Sequence, residues 1–314
     1  MAQFPSSSGA SGIWSLTDVR NSLMGSNWPL MPPEGNTAAW FAGGNPGPFS
    51  TVDRITFATD TATASVRGPL SASRTYFGAA GNSTDGWFGG GTGFSTVSRI
   101  TYTTDTATAS VRGPLSLARN GLAGAGNTTD GWFGGGEYPG LSTVDRITYA
   151  TDTATASARG PLSLARTSVA AAGNSTNGWW GGGYSLYSTV DRITYATDTA
   201  TASVRGPLSQ GRRAMSAAGN SDYGWFAGGH NPNISTVDRI TYATDTATAS
   251  TRGPLSVARA GSAAAGNSTD GWFCAGYMFS IVERITYATD TAATSTRGPL
   301  SLARYNPAGA AGIQ

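Results

Sequence analysis

The sequence predicts an all-β fold, a closed six-bladed propeller with four antiparallel strands in each blade. Three observations carry that expectation. Tryptophans at positions 40, 87, 132, 179, 225 and 272 recur at intervals of 47, 45, 47, 46 and 47 residues, opening six near-copies of one unit. A period of roughly 40 to 50 residues is a blade length, longer than a solenoid coil. The copies read as short strands between tight turns, and the two ends of the chain carry complementary parts of one repeat.

Residues 1 to 35 form an arm that differs in composition from the repeats that follow, from 36 to 314. Its lead, Ser6 to Gly12, is a flexible Ser/Gly run. A short helix follows in the prediction: Ser15 can cap it with Asp18 three residues on, and Leu16, Val19 and Leu23 share one face. That helix is too short to stand alone.

The fourth copy shows the repeat. Gly178-Trp179-Trp180-Gly181-Gly182-Gly183 precedes Ser188 to Tyr195, then Thr201 to Leu208, then the Ala-rich segment Ala214 to Gly219. Asp191, Ile193 and Tyr195 alternate with Val190, Arg192 and Thr194, the period of a strand and not of a helix. Turn clusters separate the strands: Ala-Thr-Asp-Thr ending at Thr199, Arg-Gly-Pro at Arg205, and Gly-Asn-Ser-Thr-Asn-Gly ending at Gly178.

Closure is legible at the ends. The first copy has Leu30-Met31-Pro32-Pro33 where its Ala-rich strand should stand, whereas Ser301 to Gly312 repeats Ser163 to Gly173 with no strands after it. The C-terminal strand is therefore expected to complete the first blade, which removes the exposed edges of an open array.

Composition narrows the function. Charged residues make up 12% of the chain and glycine is abundant, yet regularly placed aromatic and β-branched residues argue against disorder. A net charge of +2, with arginines recurring along the chain and no lysine, does not suit a nucleic-acid binder. The single cysteine, Cys274, excludes an internal disulfide framework and a cysteine-based metal cage, and is expected to be a buried bystander. No basic region followed by an apolar run marks a Sec-type signal, and no apolar stretch of ~20 residues could span a bilayer, so neither cleavable export nor membrane insertion is expected. Asn82, Asn127, Asn174 and Asn267 begin Asn-x-Thr sequons, read here as a repeated turn.

The chain resembles the kelch family of propellers in its double glycines, at Gly43-Gly44, Gly89-Gly90, Gly134-Gly135, Gly181-Gly182 and Gly228-Gly229, with Cys274-Ala275-Gly276 as the departure. The aromatics Phe57, Tyr102, Tyr149, Tyr195, Tyr242 and Tyr287 fit the same resemblance. It implies fold and not activity. Gly12-Ile13-Trp14-Ser15-Leu16, with Trp28-Pro29 downstream, resembles a module of virion structural proteins of tailed bacteriophages, marine and cyanobacterial ones among them. That resemblance implies docking of the arm, through Trp14, Leu16, Val19, Leu23 and Trp28, onto other virion proteins. The alternative is that Trp14 and Trp28 merely pack the arm onto the propeller.

No enzyme is expected. Propeller copper oxidases need two histidine ligands, and His230 is the only histidine. Sialidase-type chemistry needs an arginine triad with a tyrosine nucleophile, whereas Asp and Arg here recur in nearly every copy, as Asp53-Arg54 or Asp191-Arg192, with Ser98-Arg99 the exception. Groups copied round a ring hold it together, so they are read as strand-face and inter-blade hydrogen bonds. No cofactor or metal is expected.

What varies is the loop after each double glycine and, on the same face, the connection into the next blade. Phe49, Phe94, Tyr138, Tyr184, Tyr187, His230, Asn233, Tyr277, Met278 and Phe279 make that rim aromatic and polar, which suits stacking on sugar rings or on a protein. Free drift of surface loops is the alternative. The expectation is a virion protein, a tail-fibre or receptor-binding component contacting a host surface glycan or protein, with contacts to copies of itself also open. Capsid decoration and a cellular kelch-type lectin or adaptor are the other readings.

Overall fold

The computed structural model describes residues 37–47 and 49–311, which form six four-stranded antiparallel sheets set round a common axis. Trp14, Leu16, Val19, Leu23 and Trp28 lie outside the described residues. In the fourth blade the strands Ala170–Gly173, Asn177–Gly181, Val190–Thr194 and Ser203–Arg205 pair in that order, from axis to circumference. The Ala-rich segment that ends the sequence repeat becomes, in space, the innermost strand of the next blade: Ser216–Gly219 pairs with Tyr223–Ala227. Small residues recur there because the inner strands crowd one another; a Cβ on Gly124 would come within 2.3 Å of the Ala79 carbonyl oxygen.

The last strand, Ala308–Ala311, pairs with Ala38–Ala42 in the register Ala39 to Ala311 through Ala42 to Ala308. The first blade is thus assembled from both ends of the chain, and the ring closes as predicted.

Six copies of one seam join the blades. The repeat tryptophan stacks on the aromatic of the next blade, Trp179 on Tyr242 at 3.7 Å between ring centroids and Trp272 on Phe57 at 4.0 Å across the closure. Its indole N–H donates to the aspartate of that blade's Ala-Thr-Asp turn, at 2.9 Å from Trp179 to Asp245. Arg192 and Arg205, on the third and fourth strands of the Trp179 blade, reach the same carboxylate at 3.1 and 3.5 Å. One buried anion therefore collects an indole and two guanidiniums, a charge-assisted arrangement.

Two strand limits differ from the sequence reading. Tyr195 and its equivalents open a 3-10 turn instead of ending the third strand, because the Tyr195 N–H turns to the Thr176 carbonyl and the ring swings onto Trp132. The fourth strand stops at Arg205, because the Gly206 N–H donates to the Asp245 carbonyl of the next blade. That glycine is required by proximity. A Cβ on Gly160, its equivalent one blade earlier, would stand 1.9 Å from the Ala200 carbonyl oxygen. Gly160→Ala is expected to destabilise the fold by ~2–4 kcal/mol through displacement of a seam, and thermal unfolding measures it; an unchanged melting temperature would show that the seam gives way without cost.

The acid-Arg dipeptide carried by the third strand of five blades divides its labour. Arg192 points out to the next blade, whereas Asp191 turns inward and holds fully buried Arg166 at 2.8 Å. Arg119–Asp145, Arg212–Asp238, Arg259–Glu283 and Arg304–Asp53 repeat the pair. In the second blade Ser98 stands in the acid's place, and Arg74 is left with Ser98 Oγ and the carbonyls of Phe88, Gly90 and Thr96. Cys274 is buried beside this system, and burial pushes its thiol up to about 12.

Candidate functional site: one differentiated face

Antiparallel order places the first and third turns of every blade on one face, and the second loop and the blade-to-blade connection on the other. The turn face is built for repetition. Asn82 Oδ1 accepts the N–H groups of Thr84 and Asp85 at 2.9 Å, while its Nδ2 donates to the Thr128 carbonyl of the next blade. Asn127 and Asn174 do the same, so these sequon side chains are committed to turns and seams. The acid that opens the second strand, at Asp85, Asp130 and Asp270, gives way to Ala38, Asn177 and Tyr223 in the other blades, and Arg239 lies 4.5 Å over the Tyr223 ring.

The loop face holds the irregular chemistry. Among the described residues, the large apolar side chains that are exposed are Tyr76, Leu117, Tyr138, Leu164, Tyr184, Leu186, Tyr277, Met278 and Leu302 on this face, with Val66, Val111 and Val204 on the outer strands. None lies on the turn face. The non-glycine residues with left-handed backbone, such as Glu137, Leu186, Tyr277 and Met278, also fall within loop-face segments. Conformations of this kind cost of order 1–3 kcal/mol each and cluster where loops do specific work.

The double glycines belong to the same face. Gly43 and Gly44 have φ of +65° and +111°, but in the copies with three glycines the left-handed pair is Gly90-Gly91, Gly135-Gly136 and Gly182-Gly183, one residue later than the sequence pairing. The first glycine of each run closes the second strand, at the position where Ala42, Ala227 and Cys274 stand in other blades.

At the mouth of the axis six residues, one per blade, form a hoop. Gly121 N–H donates to Tyr76 O, Ser168 to Gly121, Ala214 to Ser168, Gly261 to Ala214, Asn306 to Gly261 and Tyr76 back to Asn306, at 2.6 to 3.3 Å. All six have positive φ, which turns each N–H toward the preceding blade.

Beside the hoop lies a hollow of about 280 Å³. Tyr184, His230, Asn233 and Tyr277 of the predicted rim meet there, with Tyr76, Arg213, Tyr305 and Asn306. The Arg213 guanidinium sits 4.3 Å over the Tyr184 ring, and His230 Nδ1 lies 3.1 Å from Asn233 Oδ1. Tyr76 and Tyr305 meet edge to face at 6.5 Å. Burial, then Tyr305, push the Tyr76 phenol above its ordinary range, with Asn306 and Arg213 pulling the other way.

The other predicted rim residues are placed differently. Phe49, Phe94, Tyr187 and Phe279 occupy one repeated, half-buried position whose carbonyl accepts the N–H of a buried connection arginine, as Tyr187 does for Arg212. Tyr138 stands outside the hollow with its ring edge-on to Tyr184 at 5.1 Å, and Met278 is exposed beside Tyr277. The sequence reading placed Arg213 in a variable connection and Tyr305 in the closing segment without counting either as a site residue; the two share one connection position with Thr75, Asn120, Thr167 and Ala260. That column of the six copies is highly variable, and its variability was the available signal. No group of three or more His, Cys, Asp or Glu side chains is placed to hold a metal ion among the described residues.

A six-bladed propeller with one uniform and one individual face is the class that fold and site define. No known protein family and no curated protein matches the sequence. Among solved structures the chain is similar to the one described as "Structure of YjhT", at 10% sequence identity, covering 77% of this chain and 88% of that one with a TM-score of 0.64. At that identity the likeness is one of fold.

Proposed function

We propose that this chain is a non-enzymatic recognition protein of kelch type carried on a bacteriophage particle, as a tail-fibre or receptor-binding component whose loop face meets the host surface. The observation that carries the reading is the segregation of exposed aromatic side chains and strained loops onto one face of an otherwise repetitive ring. Rigid scaffolds with individual loops on one side serve binding, and a propeller suggests such a role. The particle setting rests on the resemblance of Gly12 to Leu16, with Trp28-Pro29, to virion modules; the arm then docks on other virion proteins. The absence of catalysis rests on the repetition of the buried Asp and Arg groups, which the seams and connections already employ.

The test is adsorption. Particles carrying Tyr184→Ser with Tyr277→Ser are expected to lose host attachment by at least about tenfold, since buried aromatic anchors carry most interface energy, while the chain melts as the parent does. Undiminished adsorption would remove the receptor role.

A further inference from the structure

We infer that the hollow beside the hoop takes an acidic saccharide, with Arg213 holding its negative group; this rests on the recognition reading above. Of the described arginines, every one except Arg74 and Arg213 lies within 4 Å of a carboxylate oxygen, as Arg166 and Arg192 do. Arg74 is buried and directs its N–H groups at carbonyls and Ser98. Arg213 differs from both groups. It is half-exposed, lies over Tyr184, lines the hollow, and makes no ion pair or side-chain hydrogen bond among the described residues. Its position is Thr, Asn, Ala or Tyr in the other copies, so the repeat does not require its charge.

The surroundings specify more than an anion. A guanidinium in a concave, partly apolar site binds carboxylate or sulfate through charge-assisted hydrogen bonds, in a setting less screened than open water. Tyr277, 65% exposed, and Tyr305 offer flat faces for the C–H side of a sugar ring. His230, Asn233 and Asn306 supply donors and acceptors together, as hydroxyl groups demand. The volume lies near the lower end of small-molecule sites, roughly 300–1,000 Å³, and fits a single ring better than a folded partner.

The experiment is a glycan array of carboxylated, sulfated and uncharged saccharides probed with the full chain and with Arg213→Gln. The expected result is that the parent binds acidic saccharides and that R213Q loses them by about 10- to 100-fold, with uncharged ones unaffected and an unchanged melting temperature. The carboxylated and sulfated arms identify the acidic group. Binding confined to uncharged saccharides, or acidic binding that R213Q retains, overturns the inference and leaves the recognition reading standing. Silence across the array overturns it as well, and if Tyr184→Ser with Tyr277→Ser also leaves adsorption intact, the recognition reading falls with it.

Discussion

Removal of residues 306–314 is expected to lower stability by ~5 kcal/mol or more and the melting temperature by about 10 °C or more. The deletion takes away a whole strand, Ala308–Ala311, whose pairing with Ala39 to Ala42 is the join between the two ends of the propeller. Buried Trp40 and Phe41 lose their cover on the axial side, and two links of the hoop, from Tyr76 to Asn306 and from Asn306 to Gly261, disappear together. A closed ring distributes such a loss because both neighbouring seams lose support, so the whole transition should shift and not one blade alone. Calorimetry decides it. A truncated chain that melts like the parent would mean that blade one holds without its inner strand.

The second large effect lies in the buried arginine row. Asp191→Ser copies into the fourth blade the arrangement natural to the second, and it strips Arg166 of its carboxylate and Ser163 of two hydrogen bonds, at 3.0 and 2.6 Å. Breaking a buried pair from one side costs about 3–5 kcal/mol. The converse change, Ser98→Asp, is expected to stabilise by about 1–3 kcal/mol, because Ser71 and Arg74 already face Ser98 at 2.6 and 3.1 Å. Burial pushes the Arg74 guanidinium down from its ordinary range to about 10. Above that value the unfolded chain holds the extra proton, so this group's share of stability rises with pH there and its cost is complete below pH 10. The gain from Ser98→Asp should therefore be constant from pH 6 to 9, which denaturant titrations at two pH values check. Equal stability of S98D and parent would show that carbonyls and one hydroxyl satisfy a buried guanidinium as well as a carboxylate does.

Much of the fold was legible because it is written six times. Alternation across Val190 to Tyr195, the turn residues and the divided first repeat led to the sheet order and the closure that the structure has. Local chemistry misled at Tyr195, where period two continued past the strand, since only the Trp132 ring of the preceding blade explains the turn. The rim was legible as a set of variable loops, but not its division. Phe49 and Tyr184 look alike in sequence, and only the fold tells that one position caps a buried arginine while the other opens onto a hollow. Arg213 was legible as part of a variable connection but not as a site residue, because it follows Arg212, whose burial is common to the repeat.

The uniformity of the seams has an evolutionary consequence. Since each blade offers its successor the same indole and guanidiniums and receives the same carboxylate from it, blades are interchangeable parts. Exchange of whole repeats between related genes can re-sort the loops carried on them while the indole-to-carboxylate contact at each junction is kept. Such shuffling alters what the exposed face presents in a single genetic event, and the framework beneath needs no compensating change.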